Sequence, residues 1–406
     1  MRVYKIVSFS VVILLISVFF AGAVIVPAAA QYDTQYQYNA AHTGDYSPVA
    51  GSTPPNNVQK WSFATGDLVD SSPAVLNGLV YVGSNDHNVY ALNATTGAKV
   101  WNYTTGDHVL SSPAIVNGVV FVGSDDGNVY ALNATTGAKV WNYTTGGLVE
   151  SSPAVLNGLV YVGSNDHNLY ALNATTGAKV WNYTTLGEVY SSPAVLKGVV
   201  YVGSYDNNLY ALNATTGAKV WNYTTGGLVE SSPAVSNGVV FVGSDDNNLY
   251  ALNATTGAKV WNYTTGGHVL SSPAVVNGTL YVGSSDNNLY ALNASNGAKL
   301  WSFATGFTVY SSPAVANGVV YVGSDDSNVY ALNASNGAKL WSFATAAGVE
   351  SSPAVVNGTV YVGSEDSNVY AIGNGAAATS HGIPGFDVTL ALVGLIIIAY
   401  ALKRKR

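Results

Sequence analysis

From Ser71 the chain alternates short apolar runs with short polar ones: SPAVL, Asn77-Gly78, LVYVG, SNDHN, VYAL, NATTG, AKVWNYT. Apolar runs of this length bounded by turn formers predict β-strands, and Asn-Gly between two of them is the strongest two-residue hairpin signal. The pattern therefore predicts four short strands and three turns. No stretch has a helical period long enough to compete. Close copies of the unit begin at Ser111, Ser151, Ser191, Ser231, Ser271 and Ser311, and a truncated one begins at Ser351. The spacing is 40 residues throughout. A four-stranded unit cannot bury its own faces, so its neighbours must stack on it, and a period of about 40 residues with four strands is that of a propeller blade.

The count predicts how the ring closes. The eight tryptophans are Trp61, Trp101, Trp141, Trp181, Trp221, Trp261, Trp301 and Trp341, each in a fourth strand. The unit at 351–372 has three strands and no tryptophan strand after it, whereas NNVQKWSFATG at 56–66 is a tryptophan strand with no blade of its own. The fold class expected is all-β: an eight-bladed propeller over 56–373 whose last blade joins an N-terminal strand to the three C-terminal ones. Pro73 and its copies fit the inner strand, which has a free edge where a missing N–H costs nothing.

The segment ALNATTGAKVW at 91–101 resembles the tryptophan-docking motif of quinoprotein-type (PQQ-like) repeat propellers, A-x-D-x-x-T-G-x-x-x-W. Ala91, Thr96, Gly97 and Trp101 match, and Asn93 stands where aspartate is usual. The resemblance implies that each tryptophan packs between blades, against the Thr-Gly turn of its neighbour. AAHTGDYSP at 40–48 resembles the segment that precedes such propellers. The family includes quinone-dependent alcohol dehydrogenases and non-enzymatic scaffolds, so the repeat alone does not fix activity. The enzymes need a quinone in the channel, Ca²⁺ on carboxylate and amide oxygens, a catalytic aspartate and an arginine. Here cysteine is absent, arginine occurs only at positions 2, 404 and 406, and the blades are nearly identical. No catalytic residue, cofactor or metal site is expected. A PQQ- and calcium-dependent dehydrogenase is the alternative, and a structural surface-coat component a second.

Composition changes the picture only at the ends and on the faces. A basic start, a long apolar run and PAAAQ read as a secretory signal over 1–30, and 31–55 as a leader. Residues 374–386 read as a linker and 387–406 as a hydrophobic anchor with a basic tail. Pro384-Gly385-Phe386, the apolar run and the closing basic cluster resemble the archaeal PGF-type sorting signal. Either a retained helix or a lipid replacing it puts the propeller outside the cell, on the membrane. With a net charge of −7, nucleic acid is not an expected partner.

The copies differ in two connections, strand two to three and blade to blade. In an antiparallel meander these share one face. All 19 acidic residues between Asp67 and Asp366 lie in these connections, whereas Lys99 and its copies follow the opposite turn. The varied face is therefore acidic and the uniform face basic. Asp86, Asn88 and their copies read as ordinary turn formers, whereas the varied positions 67–70 and 85 read as functional. The candidate partner-binding residues are Asp70, His108, Glu150, Glu188, Glu230, His268, Tyr310 and Glu350, for an unidentified surface protein or glycan. Sequons at Asn93, Asn102, their copies, Asn277 and Asn357 add candidate glycosylation sites.

Overall fold

The computed structural model describes residues 34–374. The signal, the anchor and nearly all of the linker lie outside the described residues. Within them, 32 strands, numbered β1 to β32 in chain order, form eight four-stranded antiparallel sheets. No helix among the described residues is long and apolar enough to cross a membrane.

The first blade consists of β2 (Ala74–Leu76), β3 (Leu79–Gly83), β4 (Asn88–Asn93) and β5 (Lys99–Thr104). Asn77 and Gly78 both have positive φ, 51° and 76°, as a type I′ hairpin requires. The inner strand is only three residues long, and Pro73 falls one residue ahead of it rather than inside it. The ring closes as its tryptophan count predicts. β1 (Gln59–Ala64) pairs with β32 (Asn368–Gly373), Trp61 opposite Ala371 and Ala64 opposite Asn368.

The core lies between blades. Tyr81, Ala91 and Trp101 of one blade pack with Ile115, Val120, Tyr130 and Leu132 of the next. This is why Val89, Tyr90, Ala91 and Leu92 are all buried, with no alternation: a strand covered on both faces has no side to give to water. The outer strand does alternate, with Trp101 buried and Val100 and Asn102 exposed. Trp61 Nε1 donates to the Ala94 carbonyl at 3.0 Å, and its indole lies over Gly97, where a Cβ would come within 2.7 Å of the ring. Six more tryptophans repeat this bond on the next blade's turn. Trp341 has no such turn to meet, because the fourth strand of its neighbour comes from the N-terminus, and it bonds to the Pro55 carbonyl of the leader instead.

At the channel, hydrogen bonds run from blade to blade in two closed rings. Ser71 Oγ donates to the Ser111 carbonyl, and the series continues around to Ser351, which returns to Ser71. Beside it, the N–H of Ser72 donates to Ser112 Oγ, and this series also closes. The SSP run thus serves inter-blade bonding as well as strand entry.

Seven of the eight blades bond to the leader at or beside their inner strands. The leader winds past them in blade order. The Thr34 carbonyl accepts from the N–H of Ile115, Gln35 Oε1 from Val155, Ala40 from Val195, Ala41 from Val235, Thr43 from Val275 and Gly44 from Val315. Val49 and Ala50 then accept from Asn357 and Gly358. Midway, Tyr36 reaches the Ser272 and Ser312 hydroxyls, and His42 is fully buried. The leader therefore runs in the channel between the Asn357-Gly358 turn on the uniform face and the second serine ring.

Candidate functional site

Two loop positions converge at the other end of the channel. The residue just before each ring serine is Asp70, Glu150, Glu230 or Glu350 in four of the eight junctions. The first varied residue of the strand two-to-three turn is Asp125, Asp245, Asp325 or Glu365 in four blades. Donor oxygens of Asp70, Glu350 and Glu365 all lie within 4.8 Å of one another. Glu230 lies within electrostatic reach of both Glu150 and Glu350. Eight carboxylates thus surround one mouth.

Burial first, and crowding second, shifts their protonation. Burial, then repulsion from Asp125, Glu230 and Glu188, raises Glu150 to about 7, against a hydrogen bond from Asn165. Burial and repulsion from Asp70, Asp325, Glu365 and Glu230 raise Glu350 to about 7. Burial also raises Asp125, to about 6, while nearby His108 pulls it down. Asp70, Glu230, Asp245, Asp325 and Glu365 are raised as well, burial being the first cause in each. Asn85 donates to Asp70 Oδ2 at 3.0 Å and Tyr205 to Glu230 Oε2 at 2.6 Å. The Oδ1 atoms of Asp70, Asp125, Asp245 and Asp325 are buried without a donor from the protein. Buried acceptors left this way are costly and favour a ligand that brings hydrogen-bond donors.

The neighbouring Asp86 position behaves differently. Its Oδ2 accepts from Tyr90 Oη at 2.6 Å and from the N–H of Gly66 at 2.7 Å, and its Oδ1 from the N–H of Asn88 at 3.0 Å. Burial alone would raise this carboxyl, but these bonds outweigh it and lower it. Five copies share the pattern. These aspartates are committed to the turn and to the blade junction.

Of the residues singled out from sequence, Asp70, Glu150, Glu230 and Glu350 share the inner position, and Tyr310 occupies it, half-buried, in its own junction. His108, Glu188 and His268 sit two residues earlier in their loops. His108 Nδ1 is 3.9 Å from Asp125 Oδ2, and His268 Nδ1 is 3.9 Å from Asp245 Oδ1. The varied turn position is a functional candidate from the sequence, but its pairing with the inner loop residue is not legible there, because the two lie 15 or 25 residues apart, as Asn85 with Asp70 and Tyr205 with Glu230 show. The 40-residue period is the signal that could have aligned the two positions. A third grouping, His87 with Asp107 and His108, brings imidazole and carboxylate donors within 4.8 Å of one another. It too joins two loops. Among the sequons, Asn102 is exposed and Asn93 Oδ1 accepts from the N–H groups of Thr95 and Thr96.

Three family models match the chain. One is described as outer membrane protein assembly factor BamB and matches residues 49–152 and 144–232. One is the β-propeller of the beta-alanine-activating enzyme, over 195–380. The third is the PGF-CTERM motif, over 383–405. No curated protein matches. Among solved structures, BamB from Moraxella catarrhalis is 22% identical, with a TM-score of 0.69, covering 79% of this chain and 100% of that one. A europium-containing methanol dehydrogenase is 15% identical, with a TM-score of 0.72, covering 85% of this chain and 98% of the other. The computationally designed Ika8 protein is 16% identical, with a TM-score of 0.72, covering 79% and 100%. At these identities the structures share the fold and nothing further is carried over.

Proposed function

Because the chain is a PQQ-type repeat propeller that carries the PGF-CTERM motif of surface-anchored proteins, we propose that it is an exported, non-catalytic binding module held at an archaeal cell surface. Its acidic mouth is the contact face, and its partner presents a cationic group. The observation that carries this reading is the ring of eight carboxylates at one channel end, four of them with a buried oxygen that no protein group satisfies. A lysine or guanidinium supplies both the charge and the donors such oxygens lack. The BamB model adds a parallel, since that protein is described as an assembly factor.

The dehydrogenase alternative asks for a planar quinone in the channel. Two features weigh against it. Gln35, Tyr36, Gln37 and Tyr46 of the leader occupy the channel at the level of the prolines, where the enclosed void among them is about 10 Å³, room for one water. The propeller also has no arginine to meet a quinone.

The test uses the full chain in detergent and a fluorescent oligolysine peptide. Neutralising Asp70, Glu150, Glu230 and Glu350 together (to Asn and Gln) should weaken binding at least tenfold, while reversing Lys99 and Lys139 to Glu should not weaken it. Loss of binding on the lysine reversals alone would place the contact on the opposite face and refute the assignment.

A further inference from the structure

The geometry points to a transition-metal site at the junction between the first two blades, built from His87, Asp107 and His108 and suited to Zn²⁺ or a similar borderline ion. His87 Nε2 lies 3.8 Å and His108 Nε2 3.9 Å from the same atom, Asp107 Oδ1. The two imidazole rings are 5.2 Å apart at 63°. Donors on one tetrahedral zinc are separated by roughly 3.3 Å, given metal–ligand lengths of about 2.0–2.2 Å. The two histidine–carboxylate distances exceed that by about half an ångström, and the three donors all lie within 4.8 Å of one another. The side chains are 43%, 48% and 46% exposed, so rotamer shifts can close the gap.

The carboxylate is held between the rings. Asp107 Oδ1 accepts the peptide N–H of His108 at 2.9 Å, and the Asp107 carbonyl accepts from Thr105 Oγ1. The orientation of His108 is the second argument. Its Nε2 faces Asp107, while its Nδ1 faces Asp125 Oδ2 at 3.9 Å. A carboxylate behind the far nitrogen of a ligating histidine is what fixes its tautomer and ring angle in metal sites. Imidazole with carboxylate selects zinc, copper or nickel, whereas Ca²⁺ requires six to eight oxygens. Three protein ligands on an exposed surface leave a coordination position for water or for a donor from outside.

The arrangement occurs once among the eight junctions. His167 has Glu188 in its junction but Gly187 at the aspartate position, and His268 follows Gly267 with Asn247 in place of the other histidine. The repeat supplies the scaffold eight times, and three substitutions convert one copy.

The full chain without a polyhistidine tag, in detergent, is titrated calorimetrically with ZnCl₂ and, separately, with CaCl₂. Co²⁺ absorption gives a second readout of tetrahedral ligation. The variants H87N and H108L carry residues that other blades use at these positions, as at Asn207 and Leu148, so both keep the turns. The expected result is one zinc per chain, with affinity reduced at least tenfold in each variant, 10–100-fold in D125N, and unchanged in H268N. Binding that persists undiminished in H87N and H108L, or no zinc binding by the parent protein at millimolar ion, overturns the site.

Discussion

Acidifying the protein from pH 8 towards pH 5 should make it more stable. Glu150 and Glu350 have ordinary values of 4.5 and stand at about 7 in the fold. An acid whose folded pKa is raised binds more protons in the native than in the unfolded state between those two values. Stability therefore falls as pH rises through that window, and above about 7 the folded state carries the full penalty. A shift of this size corresponds to about 3 kcal/mol per group at most. Both side chains retain solvent contact, so screening reduces this to about 1–2 kcal/mol each. The six Asp86-type carboxyls titrate with the opposite sign. Their folded values are lowered, so their contribution is present above the ordinary aspartate range and is lost as pH falls below it. The two sets together predict a stability maximum in the weakly acid range. The perturbation is the double variant E150Q/E350Q, which removes the ionisations and keeps the shape. At pH 8 it should unfold at a temperature several degrees above the parent, given about 2 °C per kcal/mol for a protein of this size, and the difference should close by pH 4.5. Melts followed by tyrosine and tryptophan fluorescence at half-unit intervals read both. A variant no more stable than the parent at pH 8, or one whose advantage persists at pH 4.5, would refute the reasoning.

Two further outcomes test the packing. Trp181→Ala removes a buried inter-blade indole and its bond to the Ala214 carbonyl, and should cost about 3–5 kcal/mol in urea unfolding. Trp341→Ala should cost less, since that ring is only half-buried and bonds to the leader. Gln35→Ala deletes a pair of hydrogen bonds, 2.7 and 2.9 Å, to the N–H and carbonyl of Val155. It should speed amide exchange at Val155 with little effect on Val75, and cost about 1–3 kcal/mol.

How much of this was legible in the sequence depends on whether a feature repeats. Asn77-Gly78, Trp101 and the 40-residue step each recur, and each predicts a local event that the fold contains. The sorting of charge onto one face follows from the same meander. The path of the leader was not legible, because residues 34–50 occur once and have no period. Their partners are backbone N–H groups of seven different blades, which a sequence does not mark. The convergence of Glu150, Glu230 and Glu350 was hidden for another reason. They lie 80 and 120 residues apart, and only the curvature of the closed ring turns equal loop positions into neighbours.

An eightfold repeat has no unique site, so individuality must come from what breaks the symmetry, and here two things do. The leader breaks it on the basic face, where one short segment bonds to seven of the eight blades, each through a different residue. Loop substitutions break it on the acidic face, but only where the fold permits. The Asp86 position cannot vary without losing the bonds to Tyr90 and Gly66, and the ring serines cannot vary without opening the inter-blade rings. The inner loop residue, the first turn residue and the pair at 107 and 108 carry no such duty in most copies, as Leu110, Ser285, Gly147 and Leu148 show. Those are the positions where carboxylates and histidines have gathered. The chemistry of this propeller sits where the scaffold left side chains unassigned, which is why its most repetitive segment says so much about fold and so little about the partner.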